Sequence, residues 1–140
     1  MGLSTTHDAF RGAYSAFNRF RKKVADAIGG SFAPHDNPEL DPKYWYWWAG
    51  EGEKNPFGYS KETHPGLYEF FMHEDCEGEI SPEKCILVAD ELEALLPNIA
   101  RIDDGGGGHI EYAGGYVAVT KRFIAGCRRA AAAGEPLIFH

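Results

Sequence analysis

Four side chains that can bind metal ions lie close together in the chain, at His73, Asp75, Cys76 and Glu77. Imidazole, thiolate and carboxylate groups are the ligands that zinc and other transition metals prefer. His64, or the adjacent pair His7 and Asp8, would have to complete the set from elsewhere. The chain contains no H-x-x-x-H, C-x-x-C or H-E-x-x-H pattern. His73, Asp75 and Glu77 are therefore a candidate metal site, and the alternative is a capped helical turn without metal.

The segment from His73 to Lys84, HEDCEGEISPEK, resembles an EF-hand calcium loop. Asp75, Glu77 and Gly78 stand at its third, fifth and sixth places, where that loop has two ligands and a turn glycine. Its first place is His73 instead of Asp, and its twelfth is Lys84 instead of the bidentate Glu. Because two principal ligands are missing, we expect no tight calcium binding.

Large aromatic side chains concentrate in a segment that is rich in proline and glycine, at Tyr44, Trp45, Tyr46, Trp47, Trp48, Phe57 and Tyr59. Residues 31–63 contain too many prolines for a long helix, and too many aromatic residues for a disordered linker. We expect a long ordered loop, with one short strand around Trp45 and Trp47. Its aromatic side chains either fill the core or bind a flat ligand or a protein partner, and both alternatives stay open.

Other catalytic patterns are not supported. Carboxylates around Cys76 would raise the pKa of its thiol, and Cys127 lies on the apolar face of a predicted helix. The run from Gly105 to Gly108 must be mobile or sharply turned, but it fits no phosphate-binding fingerprint. His35, His109 and His140 are expected at the surface or hydrogen-bonded within the protein.

Apolar residues recur at three- and four-residue steps in three long segments, as they do along one face of a helix. They predict helices at about 7–28, 82–96 and 116–133, with a shorter helix at 64–72. Ser81 and Pro82 favour a helix start, whereas Pro97 with Asn98, and Gly134, favour helix ends. The predicted fold is a mainly α, single-domain helical bundle (residues 1–140) with the long aromatic loop and at most one short β pairing.

Two further expectations concern surfaces. The basic side chains of the first helix are predicted to form a solvated face, and the alternative is a docking patch, at Arg11, Arg19, Arg21, Lys22 and Lys23. The apolar tail from Leu137 to His140 is predicted to fold back on the core, as a strand beside the Trp segment.

Composition excludes several functional classes. The 140 residues carry a net charge of -7, which argues against sequence-independent binding to nucleic acid or to an anionic membrane. The chain has neither an apolar run that could span a bilayer nor a signal peptide at its start. Three cysteines without a C-x-x-C pair indicate reduced thiols, so we expect a cytoplasmic protein. We also expect a monomer or small homo-oligomer, and no cofactor.

The segments MGLSTTHDAF, HEDCEGEISPEKC and FIAGCRRAAAAGEPLIFH resemble a family of small bacterial and phage proteins of no assigned function. The resemblance implies an accessory protein and assigns no residue a role. We therefore expect a non-enzymatic protein that binds a small aromatic ligand, such as a nucleotide, or a protein partner. Its binding surface would be the 44–59 segment, through Tyr44, Trp45, Tyr46, Trp47, Trp48 and Tyr59. The alternative is a metal-dependent hydrolase that uses His7, Asp8, His64, His73 and Asp75.

Overall fold

The computed structural model describes residues 2–28, 31–34, 45–48, 62–72 and 78–140, and at 31–34, 45–48 and 72 it describes the backbone alone. Helices make up most of this part of the chain, so the prediction of a mainly α fold is confirmed. The helices are α1 (Tyr14–Ala27), α2 (Pro65–Met72), α3 (Pro82–Ala94), α4 (Leu96–Ile102), α5 (Gly108–Tyr112) and α6 (Tyr116–Ala133). The strands are β1 (Gly2–Ser4), β2 (Arg11–Ala13), β3 (Ser31–Pro34), β4 (Trp45–Trp48), β5 (Gly78–Ile80) and β6 (Leu137–Phe139).

Residues 2–13 form a β-hairpin where the sequence predicts the start of the first helix. Strands β1 and β2 pair antiparallel. The hydroxyl oxygen of Thr5 accepts hydrogen bonds from the backbone N–H groups of Ala9 and Phe10, at 3.0 and 3.2 Å. These bonds give the backbone a local alternative to helix and reverse the chain. The prediction of a helix from residue 7 is therefore wrong, and α1 begins at Tyr14.

Helices α2 and α3 are the two predicted helices on either side of the acidic loop. The Oγ atom of Ser81 accepts a hydrogen bond from the Lys84 N–H at 3.3 Å, and Pro82 opens α3, as predicted. Helix α3 in turn caps α2, because the Glu91 carboxylate accepts hydrogen bonds from the N–H groups of Gly66 and Leu67 at 2.9 and 3.1 Å. The absence of a side chain at Gly66 allows this approach, since a Cβ there would lie 2.5 Å from the Leu87 backbone.

Arg21 is buried, and its predicted place on a solvated face is wrong. Its side chain is 1% exposed, and its guanidinium lies 4.7 Å from the centroid of the Phe17 ring. It donates hydrogen bonds to the carbonyl oxygens of Phe70 and Phe71 at the end of α2, and to Asn18. A cation is favourable at a helix C-terminus, where the last carbonyls lack partners within the helix. Arg21 therefore joins α1 to α2.

The chain continues as helix past the predicted stop at Pro97 and Asn98. It turns at Leu95 and begins α4 at Leu96, with Pro97 in the first turn. Proline is tolerated there, because the first N–H groups of a helix need no partner within it. The last long helix, α6, has the predicted bounds, and Gly134 ends it in the left-handed conformation (φ 68°).

Three antiparallel pairs are present among the described strands, where the sequence predicts at most one. The predicted strand at the Trp segment is β4, which pairs with β3. The tail forms β6 and is buried at Leu137 and Phe139, but it pairs with β5 and not with β4, so that part of the prediction is wrong. Backbone hydrogen bonds of 2.9 Å in both directions between Ser4 and His140 join β6 to β1.

The buried residues of the described part form one hydrophobic core around the Phe side chains of α1, α2 and α6. The ring centroid of Phe17 lies 5.0 Å from that of Phe10 and 5.5 Å from that of Phe139. The N-terminal turn packs directly on α6, because Gly126 has no side chain that would collide with Ala9. Within the described ranges no helix combines the length and the apolar character needed to cross a bilayer.

Candidate functional site: a cleft beside the N-terminal hairpin

The aromatic binding residues predicted from the sequence fall outside what the structure describes in atomic detail. Trp45, Tyr46, Trp47 and Trp48 form strand β4, whose side chains lie outside the described residues, as do Tyr44 and Tyr59 entirely. The 44–59 segment therefore stays a prediction.

The predicted metal residues are only partly described. His73, Asp75 and Glu77 lie outside the described residues. Nε2 of His7 lies 3.3 Å from Glu135, and Nδ1 of His64 lies 2.9 Å from the Thr63 hydroxyl. In the described ranges no three His, Cys, Asp or Glu side chains form a group that could hold a metal ion. His7, Asp8 and His64 therefore do not form a metal site by themselves.

The glycine run before α5 is sharply turned, with positive φ angles from Gly105 to Gly108. Its amides are bound by carboxylates of the same chain: Asp103 accepts a hydrogen bond from the Gly105 N–H at 3.0 Å, and Asp104 from the Gly106 N–H at 3.1 Å. Asp103 also accepts the N–H groups of Tyr116 and Val117 at the start of α6. These four amides are therefore bound within the protein and are not available to a phosphate.

The same hydrogen bonds hold Asp103 ionised. Burial opposes the charged form, but the hydrogen bonds from the N–H groups of Val117, Gly105 and Tyr116, with the nearby Lys23, outweigh it. The pKa of Asp103 is therefore below its ordinary value, as expected for a carboxylate that accepts several backbone hydrogen bonds.

A cleft of about 770 Å³ opens between the N-terminal hairpin and helix α5. We call it the hairpin cleft, and its lining residues are Gly2, Leu3, Ser4, Arg11, Gly12, Ala13, His109, Tyr112, Ala113 and Arg122. Its volume is within the usual range for small-molecule sites.

The hairpin supplies the floor of the cleft. Side chains of a strand alternate between faces, and the register places Gly2 opposite Ala13 and Ser4 opposite Arg11. Small side chains therefore share one face with the guanidinium of Arg11. Helix α5 lies at an ordinary van der Waals distance from Gly12, where a Cβ would be 3.6 Å from the Cβ of His109.

Arg122 on α6 completes the cleft and is held by the N-terminal turn. It donates hydrogen bonds to the backbone oxygen of Asp8, at 3.1 Å from Nε, and to the Asp8 carboxylate. His7 and Asp8 adopt positive φ angles of 57° and 55°. For a residue other than glycine, this left-handed conformation costs roughly 1–2 kcal/mol of conformational energy. Arg129 stabilises the same turn by donating to the His7 oxygen at 3.1 Å.

The cleft is locally positive in an acidic protein. Its lining contains Arg11, Arg122 and His109 but no carboxylate. Arg122 is neutralised by Asp8, whereas in the described part of the chain Arg11 makes neither a hydrogen bond nor an ion pair. A guanidinium binds carboxylate or phosphate groups through two parallel hydrogen bonds. The side chain of Tyr112 is 95% exposed at the edge and offers a flat face for stacking.

Ser4 and His140 meet at the edge of the cleft, but their geometry does not favour nucleophilic catalysis. The hydroxyl oxygen of Ser4 lies 3.4 Å from Nδ1 of His140, which is longer than a normal hydrogen bond to a hydroxyl. No carboxylate among the described residues orients the imidazole of His140. An activated serine would need both features.

Sequence reasoning missed the hairpin cleft. It placed Arg11 on the solvated face of a helix, and it expected His109 at the surface or hydrogen-bonded within the protein. Gly12, inside the predicted helix, was the one local signal against that assignment, since glycine weakens a helix interior.

Comparisons with protein-family models, with curated protein sequences and with solved structures found no match to this chain.

Proposed function

We propose that the protein is a non-enzymatic binding protein whose hairpin cleft takes a small ligand with an anionic group and a flat ring, such as a nucleotide. The observation that carries the proposal is Arg11, a guanidinium with no partner in the described part of the chain, beside a floor of small side chains. The anionic group would bind Arg11, and the ring would stack on Tyr112.

Electrostatics supports an anionic ligand. A net charge of -7 repels anions from most of the surface, so a site for an anion needs a local excess of positive charge. Arg11 provides it, because Arg122 is already paired with Asp8 and no carboxylate is among the residues that line the cleft. Binding should therefore weaken as the salt concentration rises.

The 44–59 segment is the other proposed surface for an aromatic ligand or a protein partner. It is supported by its concentration of aromatic residues and by the pairing of β4 with β3, which gives Trp45–Trp48 a strand backbone. We also propose a cytoplasmic location, since Cys85 and Cys127 are free thiols, as is usual in a reducing compartment.

Calorimetric titration with AMP, adenosine and inorganic phosphate tests the cleft. We expect AMP to bind most tightly, because it carries both groups. Arg11→Ala should weaken AMP binding by about tenfold to a hundredfold, the effect of losing a charged hydrogen bond of about 1.5–3 kcal/mol. Tyr112→Ala should weaken the binding of AMP and adenosine but not of phosphate.

Lys121→Ala is the matched control, since it removes one positive charge from α6 outside the cleft lining. It should leave AMP binding within a factor of two or so of wild type, as long-range screening predicts. Equal effects of Arg11→Ala and Lys121→Ala would show a general charge effect and contradict the site. If Trp47→Ala abolished binding while Arg11→Ala did not, the ligand would bind the 44–59 segment instead.

A further inference from the structure

Arg122 of α6 lines the hairpin cleft together with Arg11 of β2. The same two residues, with His109 and Ala113, also line a second, smaller cavity. Each guanidinium can donate two parallel hydrogen bonds to a phosphate, so two of them in one cleft can bind two anionic groups of one ligand. Arg122 differs from Arg11 in that it already pairs with a carboxylate of the protein, that of Asp8.

Two kinds of hydrogen bond hold Arg122 to the N-terminal turn. Its Nε donates to the backbone oxygen of Asp8 at 3.1 Å, and its Nη2 donates to the Asp8 carboxylate. The backbone oxygen can move only with the turn, which Arg129 also holds through the His7 oxygen. The carboxylate can leave by side-chain rotation alone. Arg122 would therefore stay in position if the Asp8 carboxylate moved away.

The Asp8 carboxylate is weakly held. The side chain of Asp8 is 76% exposed and that of Arg122 is 38% exposed, and an ion pair in contact with water contributes little to stability. Within the described ranges the Asp8 carboxylate has no partner besides Arg122. A phosphate group carries more negative charge and more acceptor oxygens than a carboxylate. A phosphate in the cleft can therefore displace the carboxylate from Arg122.

We propose that Arg122 is a second phosphate-binding residue of the hairpin cleft, and that the Asp8 carboxylate is an intramolecular competitor which the ligand displaces. The inference rests on the proposed function and narrows the ligand from nucleotides in general to nucleoside diphosphates. One phosphate binds Arg11, and the other replaces the Asp8 carboxylate on Arg122. A monophosphate binds Arg11 and leaves the ion pair of Asp8 with Arg122 intact.

Calorimetric titration with AMP and ADP in magnesium-free buffer tests the inference. Wild type should bind ADP about tenfold more tightly than AMP, the effect of one further charged hydrogen bond. Arg122→Gln should bring the ratio of the two affinities close to unity. Asp8→Asn should raise that ratio about threefold to fivefold, since it removes the charge of an exposed competitor. Asparagine tolerates the positive φ of position 8, so this variant keeps the turn.

Glu135→Gln is the matched control, because it removes a carboxylate that pairs with His7 in the same turn but does not line the cleft. It should change the AMP and ADP affinities equally. If wild type binds AMP but prefers ADP no more than Arg122→Gln does, or if Asp8→Asn only matches Glu135→Gln, the inference is wrong and the proposed function stands. If neither nucleotide binds wild type or Asp8→Asn, both are wrong. Should circular dichroism show that Arg122→Gln does not fold, Asp8→Asn against its control decides alone.

Discussion

The carboxylate of Asp103 accepts a hydrogen bond from the backbone N–H of Val117 at 3.0 Å, across fourteen positions of the sequence. Asp103 thereby caps the start of α6 from a distant position in the chain. Glu91 caps α2 in the same way, because its carboxylate accepts hydrogen bonds from the first N–H groups of that helix. Each carboxylate satisfies N–H groups that a helix leaves unpaired and lies at the positive end of its dipole. Both caps therefore stabilise a helix and a tertiary contact together.

Asp103→Asn should lower the free energy of unfolding by about 1 kcal/mol at neutral pH, a typical value for a lost helix cap. The folded-state pKa of Asp103 is lowered, so its contribution is present above the unfolded pKa of about 3.9 and is lost as the pH falls through the folded value. The difference between the variant and wild type should therefore narrow below about pH 4. Urea unfolding at several pH values measures it. A difference that stays constant down to pH 2 or so would contradict the role of the Asp103 charge.

Glu91→Ala should destabilise the protein by about 1–2 kcal/mol, because the N–H groups of Gly66 and Leu67 lose their acceptor. Glu93→Ala is the matched control on the same helix. Glu93 pairs with Arg128 at the exposed surface, so its removal should have little effect on thermal unfolding. Similar losses in the two variants would show that helix propensity, and not the cap, decides the result.

Gly126→Ala should destabilise the protein, although alanine is favoured over glycine by about 1 kcal/mol in a helix. A Cβ at position 126 would lie 2.5 Å from Cα of Ala9, and relieving such overlap costs about 1–3 kcal/mol. Gly134→Ala is the comparison: nothing lies within 4 Å of its Cβ, and only its positive φ opposes the change. Chemical denaturation measures the free energy of unfolding of both variants. If Gly126→Ala were stabilising, the close packing of the N-terminal turn on α6 would be wrong.

Millimolar calcium should leave the melting temperature unchanged. Lys84, where an EF-hand has its bidentate Glu, lies in the first turn of α3, and its backbone N–H is bound by Ser81. Differential scanning fluorimetry with and without calcium measures the shift that a bound ligand would cause. A rise of several degrees that disappears in Asp75→Ala would show that the acidic loop binds calcium after all.

Local signals predicted the elements whose stability is local. Ser81 with Pro82 starts α3, Gly134 ends α6, and both helices carry the expected apolar stripes. Contacts between residues distant in the sequence could not be predicted from local patterns. A strand's pattern does not name its partner, so β6 was predicted but was paired with the wrong strand. The burial of Arg21 depends on carbonyl oxygens of another helix, which no local pattern reveals.

The hairpin cleft could not be predicted from the sequence either, because it depends on contacts between residues that are distant in the sequence. The steps from Phe10 to Phe17 and Phe20 fit a helix, and all three rings are indeed buried. The hydroxyl of Thr5 decides against helix before Tyr14, because it binds two backbone N–H groups that a helix would use differently. Once the hairpin forms, Arg11 lines one cleft together with residues of α5 and α6, which are distant from it in the sequence.

The pairing of Ser4 with His140 also bears on the order of folding. These residues are 136 positions apart, and contacts so distant in sequence form slowly because a long loop must first close. During synthesis β1 emerges before the six helices, whereas β6 emerges after them. Helices α1 to α6 can form before that contact exists, so we expect the closure of β6 on β1 to be a late event in folding.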